Sequence, residues 1–331
     1  MPFTKNFRTP SQLTGAARGA FDAVFEGFSV AGLLPARENF TLDYNFQRGA
    51  APLPPAAKYR SFNTRSMVNT VGQGETASGK LPPTSIRLYV DEFQQLEMYG
   101  QNDAIGAKFE EYAIRNAQSI AFRVILAAAQ AIQDGKVRIE ERQLAFDIDF
   151  GRKASLSPNA SVPWVTVATA KPLDDLEGLR AVFGKRFGAI RLSQQSMTYL
   201  QRNVDLIKIA LQKGSDLPSR ISQEDVRSVF RDYGLGEIII EDDVVMNTEG
   251  VEVPVFAANK VIITTGGSVG STEIGVTAES LASDNGIART EAPGLFAGAI
   301  PVDDPTGYDV LVSGIVLPVL SAPNNTAVLT V

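Results

Sequence analysis

The sequence predicts an α+β fold of about two domains, and three observations support this. Helical periodicity runs over about residues 103–134, strand-like alternation follows at 144–151, and short helical and strand patterns are mixed from residue 172 onward. The chain has 331 residues, which suits about two domains of roughly 150 residues each. Its content of 44% hydrophobic and 21% charged residues is typical of a globular protein with a sizeable core.

The N-terminal section, residues 1–55, is predicted to be an extended arm. Its one helical pattern is a short amphipathic helix around Gln12–Phe25. Isolated apolar residues and the Pro-rich run APLPPA at 51–56 follow. Nothing in this section predicts a closed unit.

The next section contains VGQGETASGKLPPTSIRLYV, residues 71–90, which predicts a glycine-rich turn followed by a short strand. Apolar and polar residues alternate over 86–90. An arm of this kind has too little apolar surface for a core of its own. We therefore expect it to pack against a partner.

The strongest helical pattern lies at about 103–134, where apolar residues recur at spacings of three and four. Asp103 is the expected N-cap, and Gly135 is the expected residue just past the C-terminal end. A helix of this length would be a rod of roughly 48 Å.

The remaining elements follow in order. LAFDIDFG (144–151) and WVTVATA (164–170) predict strands. The later helices are predicted at DDLEGLRAVFG, SQQSMTYLQRN and SQEDVRSVFRDYG. Ser193 is the expected cap of the second. In the third, Ser222 and Asp225 are spaced as a capping box, and Gly234 is expected to end the helix. The later strands are predicted at GAIRL, GEIIIED, VEVPVFA, KVIITTG, YDVLVSGIVLPVL and NTAVLTV, with the turn NTEG (247–250) joining GEIIIED to VEVPVFA.

The chain contains no His and no Cys. This excludes Ser-His-Asp and Cys-His catalytic machinery, His general bases, His or Cys metal sites, and disulfides. Enzymes that use only Asp, Glu, Lys, Ser or Tyr remain open.

The candidate chemical motifs are weak. GGSVGS (266–271) lacks the Gly-Lys-Ser/Thr ending of a phosphate-binding loop, so an inter-strand turn is expected. The carboxylate pairs Asp174–Asp175, Asp242–Asp243 and Asp303–Asp304 are adjacent in sequence, which does not show that they converge on a metal or substrate. Trp164 is expected in the core, and Lys80 is expected to be an exposed, solvated charge.

Charge is unevenly distributed along the chain, whose net charge is −6. Residues 1–90 hold ten Lys or Arg against five Asp or Glu, a net +5, and the remainder holds 21 against 32, a net −11. A basic front section could dock onto the acidic body of a neighbouring copy or face nucleic acid; ordinary variation in surface charge remains the alternative.

No secretory signal and no membrane span are expected, since no apolar run approaches the ~18 residues that a span needs.

Taken together in order, these landmarks resemble a known family. They are the glycine-rich loop GQGETASGKLPPTSIRLY, the long helix, LAFDIDFGR, the Trp followed by PLDDLEGLR, RLSQQSMTYLQRN, the hairpin IIIEDDVVMNTEGVEVPVF with KVIITTGG, and the ending DDPTGYDVLVSGIVLPVLSAPNNTAVLTV. Over nearly the whole chain, their order resembles the major capsid proteins of tailed bacteriophages typified by phage lambda, which have the Hong Kong 97 capsid fold.

The resemblance implies an architecture for this chain. Residues 1–55 would be the N-terminal arm, 56–90 the extended loop, 91–170 and 296–331 the peripheral domain with the long spine helix, and 171–295 the axial domain. The extended loop would reach over an adjacent subunit, and its expected inter-subunit contacts are Arg65, Gly72, Gly74, Lys80, Arg87 and Tyr89.

The resemblance also implies a function. The protein would be non-enzymatic, need no cofactor, and assemble with itself as pentamers and hexamers into an icosahedral shell around double-stranded DNA, which it contacts without sequence specificity. Assembly would take place in the host cytoplasm, with scaffold, portal and decoration proteins as partners and a scaffold separate from this chain. Some relatives cross-link a Lys to an Asn, but the lambda-like branch generally uses decoration proteins instead, so Lys80, Asn324 and Asn325 are not predicted to cross-link.

Two alternatives remain open at this stage. One is an encapsulin-like cellular compartment shell of the same fold. The other is an α/β enzyme that uses carboxylates or Lys.

Overall fold

The computed structural model describes residues 3–48, 57, 59–65, 75–141 and 144–331. The helices in these ranges are α1 (Pro10–Glu26), α2 (Ser29–Leu33), α3 (Glu92–Glu97), α4 (Asn102–Asp134), α5 (Pro172–Phe183), α6 (Gln194–Arg202), α7 (Val204–Leu211), α8 (Gln223–Asp232) and α9 (Ala278–Leu281). The strands are β1 (Ala36–Glu38), β2 (Asp43–Gln47), β3 (Thr76–Lys80), β4 (Pro83–Val90), β5 (Lys136–Glu141), β6 (Leu144–Asp149), β7 (Ala189–Leu192), β8 (Glu237–Ile240), β9 (Val244–Met246), β10 (Glu252–Pro254), β11 (Lys260–Thr264), β12 (Ser271–Ile274), β13 (Phe296–Asp303), β14 (Thr306–Val319) and β15 (Thr326–Thr330).

The helix predicted at Gln12–Phe25 is confirmed as α1. A capping box between Thr9 and Gln12, followed by Pro10 at the first helical position, starts it. Its buried residues include Leu13, Ala17, Phe21 and Phe25, at the spacing of one helix face. This face packs against α4 and β13, so the N-terminal section contributes to the main core of the subunit.

The long helix is confirmed as α4, which has 33 residues. It begins at Asn102, and the prediction of Asp103 as its N-cap is wrong. Gln101 takes the N-cap position, and Asp103 lies in the first turn. Carboxylates in a first turn are favoured by the partial positive charge of the helix N-terminus. Gly135 follows the last turn with the left-handed φ of 67° that glycine adopts without strain.

The main sheet is organised around β14. β13 and β4 flank the first part of this strand, both antiparallel to it, and β12 pairs antiparallel with its last four residues. β1 extends the sheet through a parallel pairing with β12. This sheet, α4 and α1 enclose the larger of two hydrophobic cores.

The second core surrounds a sheet of order β15-β11-β7-β8 and is covered by helices from 172–232. The predicted helices α5, α6 and α8 are confirmed, including the Ser193 cap and the capping box between Ser222 and Asp225. Trp164 is buried in this core, as predicted, and its Nε1 donates to Asp175 Oδ2 over 3.2 Å.

Two of the sequence predictions are wrong in this half. Residues 164–170 form turns and no strand, because backbone NH groups such as those of Thr166 and Ala170 donate to carbonyls three or four residues earlier. The turn NTEG joins β9 to β10, whereas β8 pairs in parallel with β7. The β-branched alternation of WVTVATA and the position of NTEG were local signals that tertiary packing overrode.

The expected domain boundaries stay a prediction, and some segments pack in a different core from most of the domain to which they were assigned. Residues 156–170, expected in the peripheral domain, pack in the second core, as do Ala327 and Leu329 of β15, whereas Val328 packs in the first core. Residues 269–295, expected in the axial domain, supply β12 and other segments to the first core.

The C-terminal end of α4 joins the two cores. The buried guanidinium of Arg152 donates to the carbonyl oxygens of Ile132 and Gln133, at 2.6 and 2.5 Å, and to Thr326 Oγ1 of β15 at 3.3 Å. Burial lowers the pKa of Arg152 to about 10, so this side chain stays charged at neutral pH. A cation is favourable here because the last carbonyls of a helix carry partial negative charge.

A second connection runs through Glu241, just after β8. Its carboxylate accepts hydrogen bonds from Arg191 of β7 and, over 2.7 Å, from Ser29 of α2. Both Arg191 and Glu241 have largely buried side chains. The pair therefore links the second sheet to a helix of the first core.

We predict that Glu241→Ala lowers the free energy of unfolding by about 3 kcal/mol or more, because it leaves the Arg191 guanidinium buried without its partner. Urea denaturation of purified subunits measures this change. Glu249→Ala, at an exposed position in the NTEG turn, is the matched control and should be nearly neutral. Equal stability of the two variants would contradict the role of the buried pair.

Candidate subunit interface

A two-stranded hairpin, β2 paired with β3, connects to the main body of the subunit at one end. The strands are antiparallel, and Gln47 lies opposite Thr76 at the outer end. Along β2 the side chains alternate between exposed and buried, with Tyr44 and Phe46 on the buried face. The hairpin is therefore an arm with one apolar face and one polar face.

The base of the hairpin is anchored to β6 and the residue that follows it. The Tyr44 and Phe146 ring centroids are 6.4 Å apart, and those of Phe46 and Phe150 are 5.1 Å apart. Gly79 lies against the Tyr44 ring, where an added Cβ would come within 2.4 Å of the phenol oxygen. Glycine is required on β3 because the ring occupies the space of a side chain.

An ionic contact adds to this anchor. Asp149 Oδ2 lies 3.0 Å from Lys136 Nζ and 3.8 Å from Arg48 Nη2, just past β2. Partial burial opposes ionisation of Asp149, but the hydrogen bond from the Gly151 amide and the nearby Lys136 and Arg48 outweigh it and hold its pKa below the ordinary value. The charged form of Asp149 is therefore favoured by folding.

The six residues expected to contact a neighbouring subunit fall into three groups. Gly72 and Gly74 lie outside the described residues. Arg65 is exposed, and Lys80 is exposed at the end of β3, opposite Asp43 of β2. Arg87 and Tyr89 lie on β4.

β4 has its own partner within the subunit. It pairs with β14 over its whole length, and Val90 is fully buried in the first core. The strand half of the 71–90 stretch therefore needs no partner from another chain. Arg87 Nη1 lies 2.9 Å from Asp309 Oδ2, and the Tyr89 hydroxyl donates to the Pro305 carbonyl over 2.7 Å.

Acidic groups surround Tyr89. Partial desolvation of the phenol raises its pKa, and the carboxylates of Asp309, Asp91, Glu92 and Asp304 raise it further. The edge where β4 ends is thus an acidic surface.

Sequence reasoning missed a set of exposed aromatic and aliphatic side chains. Tyr59 and Phe62 are fully exposed in the 59–65 segment, and Phe93, Leu96 and Tyr99 are 68%, 63% and 86% exposed on and just after α3. Their spacing of three residues was visible in the sequence, but their exposure was not. Clustered exposed aromatic groups are typical of protein–protein contact surfaces.

The 59–65 segment is a hydrogen-bonded turn. The Thr64 amide and hydroxyl both donate to the Ser61 carbonyl, and Arg60 Nη1 donates to the Thr64 carbonyl over 2.7 Å. These bonds fix the turn locally while the side chains of Tyr59 and Phe62 stay fully exposed.

The described residues hold no group of three or more acidic side chains arranged to bind a metal ion. Each carboxylate pair has a local structural setting. Asp174 and Asp175 lie in the first turn of α5, Asp242 accepts from the Gln194 amide at the start of α6, and Asp303 ends β13. GGSVGS links β11 to β12, as expected for a turn.

The helices in the described ranges include none with both the length and the apolar character that crossing a bilayer requires.

Comparison with known proteins identifies the family. The model of the phage major capsid protein E family matches residues 83–331, from the first residue of β4 to the last residue of the chain. The chain belongs to the phage major capsid protein E family. It is thus a viral shell protein and a component of the virion capsid, and this match weakens the encapsulin alternative.

Solved structures agree on the fold. A protein assigned as the capsid protein of a prophage of E. coli CFT073 superposes with a TM-score of 0.61 at 14% identity, covering 98% of this chain and 99% of that one. A phage-related protein from Bordetella bronchiseptica RB50 gives 0.50 at 11% identity, covering 96% and 95%. The capsid of Myoviridae phage XM1 gives 0.50 at 9% identity, covering 91% and 90%. A search of curated protein sequences finds no match.

The phage capsid protein family and the Hong Kong 97-type fold predicted from the sequence are therefore confirmed, as is a viral shell function. As a capsid protein, this chain assembles with copies of itself into an oligomeric shell.

We predict that Phe46→Ala lowers the free energy of unfolding by about 3 kcal/mol, because the Phe150 ring loses its partner and a cavity opens under the hairpin. Native-state proteolysis should show earlier cleavage near β2 and β3. Phe40→Ala is the matched control, since Phe40 is 61% exposed just before the hairpin. Equal protease resistance of the two variants would contradict the anchor.

We predict an acid dependence of stability that includes Asp149. Because its pKa is lower in the folded than in the unfolded state, its stabilising effect is present at neutral pH and is lost as pH falls through the folded pKa. Asp149→Asn should therefore flatten the decline of unfolding free energy as the pH falls below the ordinary pKa of an aspartate, about 4. The exposed Asp147→Asn is the control; an unchanged slope in Asp149→Asn would refute this assignment.

Proposed function

We propose that this chain assembles as pentamers and hexamers into an icosahedral shell that encloses double-stranded DNA, and that it does so without catalysis. Its hairpin would extend from each subunit over a neighbour. Assembly would take place in the host cytoplasm with separate scaffold, portal and decoration proteins, and the packaged DNA would be contacted without sequence specificity.

The observation that carries the proposal is a hairpin that is fixed to the subunit, together with a described segment, residues 59–65, whose two aromatic side chains are exposed. Tyr44 and Phe46 bury the base, while Tyr59 and Phe62 are fully exposed. Exposed aromatic side chains are costly in water, so an arm of this kind favours association. Because Arg65 and Lys80 are also exposed on it, they keep their expected role as inter-subunit contacts.

Arg87 and Tyr89 have a changed role in this proposal. They would affect the contact between subunits only indirectly, because their side chains form hydrogen bonds to Asp309 and to the Pro305 carbonyl of their own subunit. Gly72 and Gly74 keep the role expected from the sequence, which is to let the loop adapt to the slightly different contacts of a closed shell.

Loop replacement tests the proposal. The Arg48 amide donates to the Glu75 carbonyl over 2.7 Å, so the two strands are still adjacent where the hairpin leaves the described residues. A short Asn-Gly turn can therefore replace residues 49–74 without disturbing β2 or β3.

We expect the replaced chain to fold with unchanged thermal stability and to lose shell yield by at least about tenfold, because each subunit loses a contact to its neighbour. Negative-stain microscopy and sedimentation after co-expression with the scaffold measure shell yield. Normal shells from the replaced chain would refute the role of the loop. Absence of shells from the unaltered chain under all such conditions would refute assembly itself.

A further inference from the structure

A surface around α3 combines exposed apolar side chains with negative charge. Phe93, Leu96 and Tyr99 recur every three residues and are mostly exposed. Asp91, Glu92 and Glu97 lie among them, and no Lys or Arg occurs between positions 87 and 108. We call residues 91–99 the acidic patch.

Neighbouring strands extend the negative charge of the acidic patch. Gln95 Nε2 donates to the Thr306 carbonyl over 3.3 Å, which places α3 beside the turn between β13 and β14. Asp303 and Asp304 are exposed at this turn. The cation nearest in sequence, Arg87, already pairs with Asp309.

The 59–65 segment has the complementary properties, and we call it the basic tip. Tyr59 and Phe62 are fully exposed, Arg60 and Arg65 are exposed, and the segment contains no Asp or Glu. The sequence from 48 to 74 likewise contains four Lys or Arg and no carboxylate. Aromatic residues and arginine are the types most enriched at the energetic centres of interfaces.

We propose that the basic tip of one copy docks on the acidic patch of a second copy. The inference rests on the proposed function and adds to it the acceptor surface for the hairpin. Both surfaces are exposed in the same subunit, so neither satisfies the other within one chain. A contact between two different surfaces of identical subunits is head-to-tail, and it closes into rings when the rotation permits.

The area that this docking would bury is suitable for one of the several contacts that each subunit makes in a shell. An aromatic side chain buries about 150–250 Å² when fully covered, so Tyr59, Phe62, Phe93 and Tyr99 would remove roughly 600–1,000 Å² from water. A stable interface needs about 1,200–2,000 Å² in total. Tip and patch therefore supply a large part of one contact, with the remainder left to other surfaces.

Nucleic acid is the competing occupant of the basic tip, because aromatic and arginine side chains also stack on bases. It leaves the acidic patch unexplained, since carboxylates repel phosphates. A second copy of the chain accounts for both surfaces at once.

Cysteine cross-linking tests the docking directly, because the chain has no native Cys and so gives no background. The double variant Phe62→Cys/Leu96→Cys is assembled into shells, oxidised gently and run on a non-reducing denaturing gel. We expect a ladder of covalent multimers that collapses on reduction. Phe62→Cys/Val182→Cys is the matched control, since Val182 is also exposed but lies on α5, and it should give no ladder.

The outcomes separate this inference from the proposed function. Shells that form but give no ladder with the Leu96 pair overturn the docking while leaving assembly intact. A ladder of equal extent from the control pair overturns it as well, because the tip would then contact surfaces without preference. Phe62→Cys alone and Leu96→Cys alone should each give little dimer. Abundant dimers from both single variants would mean that tip-to-tip and patch-to-patch disulfides build the ladder, and would overturn the docking.

Charge reversal provides a second test that does not depend on a chosen atom pair. Arg60→Glu/Arg65→Glu should lower shell yield about tenfold, and adding Glu92→Lys/Glu97→Lys in the same chain should restore most of it. Lys213→Glu/Glu249→Lys, exposed elsewhere, should change little. Lost DNA retention with normal shell yield in the Arg60/Arg65 variant would assign the tip to nucleic acid and overturn the docking.

Discussion

The packing of α4 against β14 is the interaction on which the rest of the subunit depends. The buried face of α4 is rich in alanine, including Ala113, Ala117, Ala121 and Ala128. Short side chains let the helix approach the sheet closely over much of its length. Asn116 fixes the register, because its buried amide donates to the Val310 carbonyl over 2.9 Å and would lose a partner if the helix slid.

The position of the hairpin follows from α4. The Phe150 amide donates to the carbonyl of Gly135, the residue that ends the helix, over 3.0 Å, and the Phe150 ring contacts Phe46 of the hairpin. Arg152, two residues later, binds the last carbonyls of the helix. One short segment therefore connects the end of α4 to the hairpin and to both cores, and it holds β2 in place on the subunit.

Local signals in the sequence were sufficient for much of this fold. The stripe of α4, the left-handed Gly135 and the capping box of Ser222 and Asp225 each depend on residues within a few positions, and each prediction is confirmed. Pairing over long distances was not predictable in the same way. The partner of β4 lies on β14, far along the chain, and the turns at 164–170 follow from burial of Trp164 in a core that the alternating Val and Thr residues do not reveal.

The candidate interface could be predicted only in outline, for a physical reason. Helical periodicity placed Phe109 on the apolar stripe of α4, where it is buried, but no periodic pattern shows that the folded subunit leaves Phe62 exposed. Charge gave the better clue, since the basic front section and the acidic remainder were visible at once.

That charge asymmetry has a limited but definite role in association. Copies with a net charge of −6 repel one another at long range, and salt at physiological strength screens charges beyond about 8 Å. Complementary charges of the tip and the patch can therefore act only near contact, where they select orientation and register. Attraction must come mainly from the apolar groups, and an arm already fixed at its base loses less conformational freedom on docking than a disordered one. Weak, oriented contacts of this kind suit a closed assembly, because each can be remade until every subunit is correctly placed.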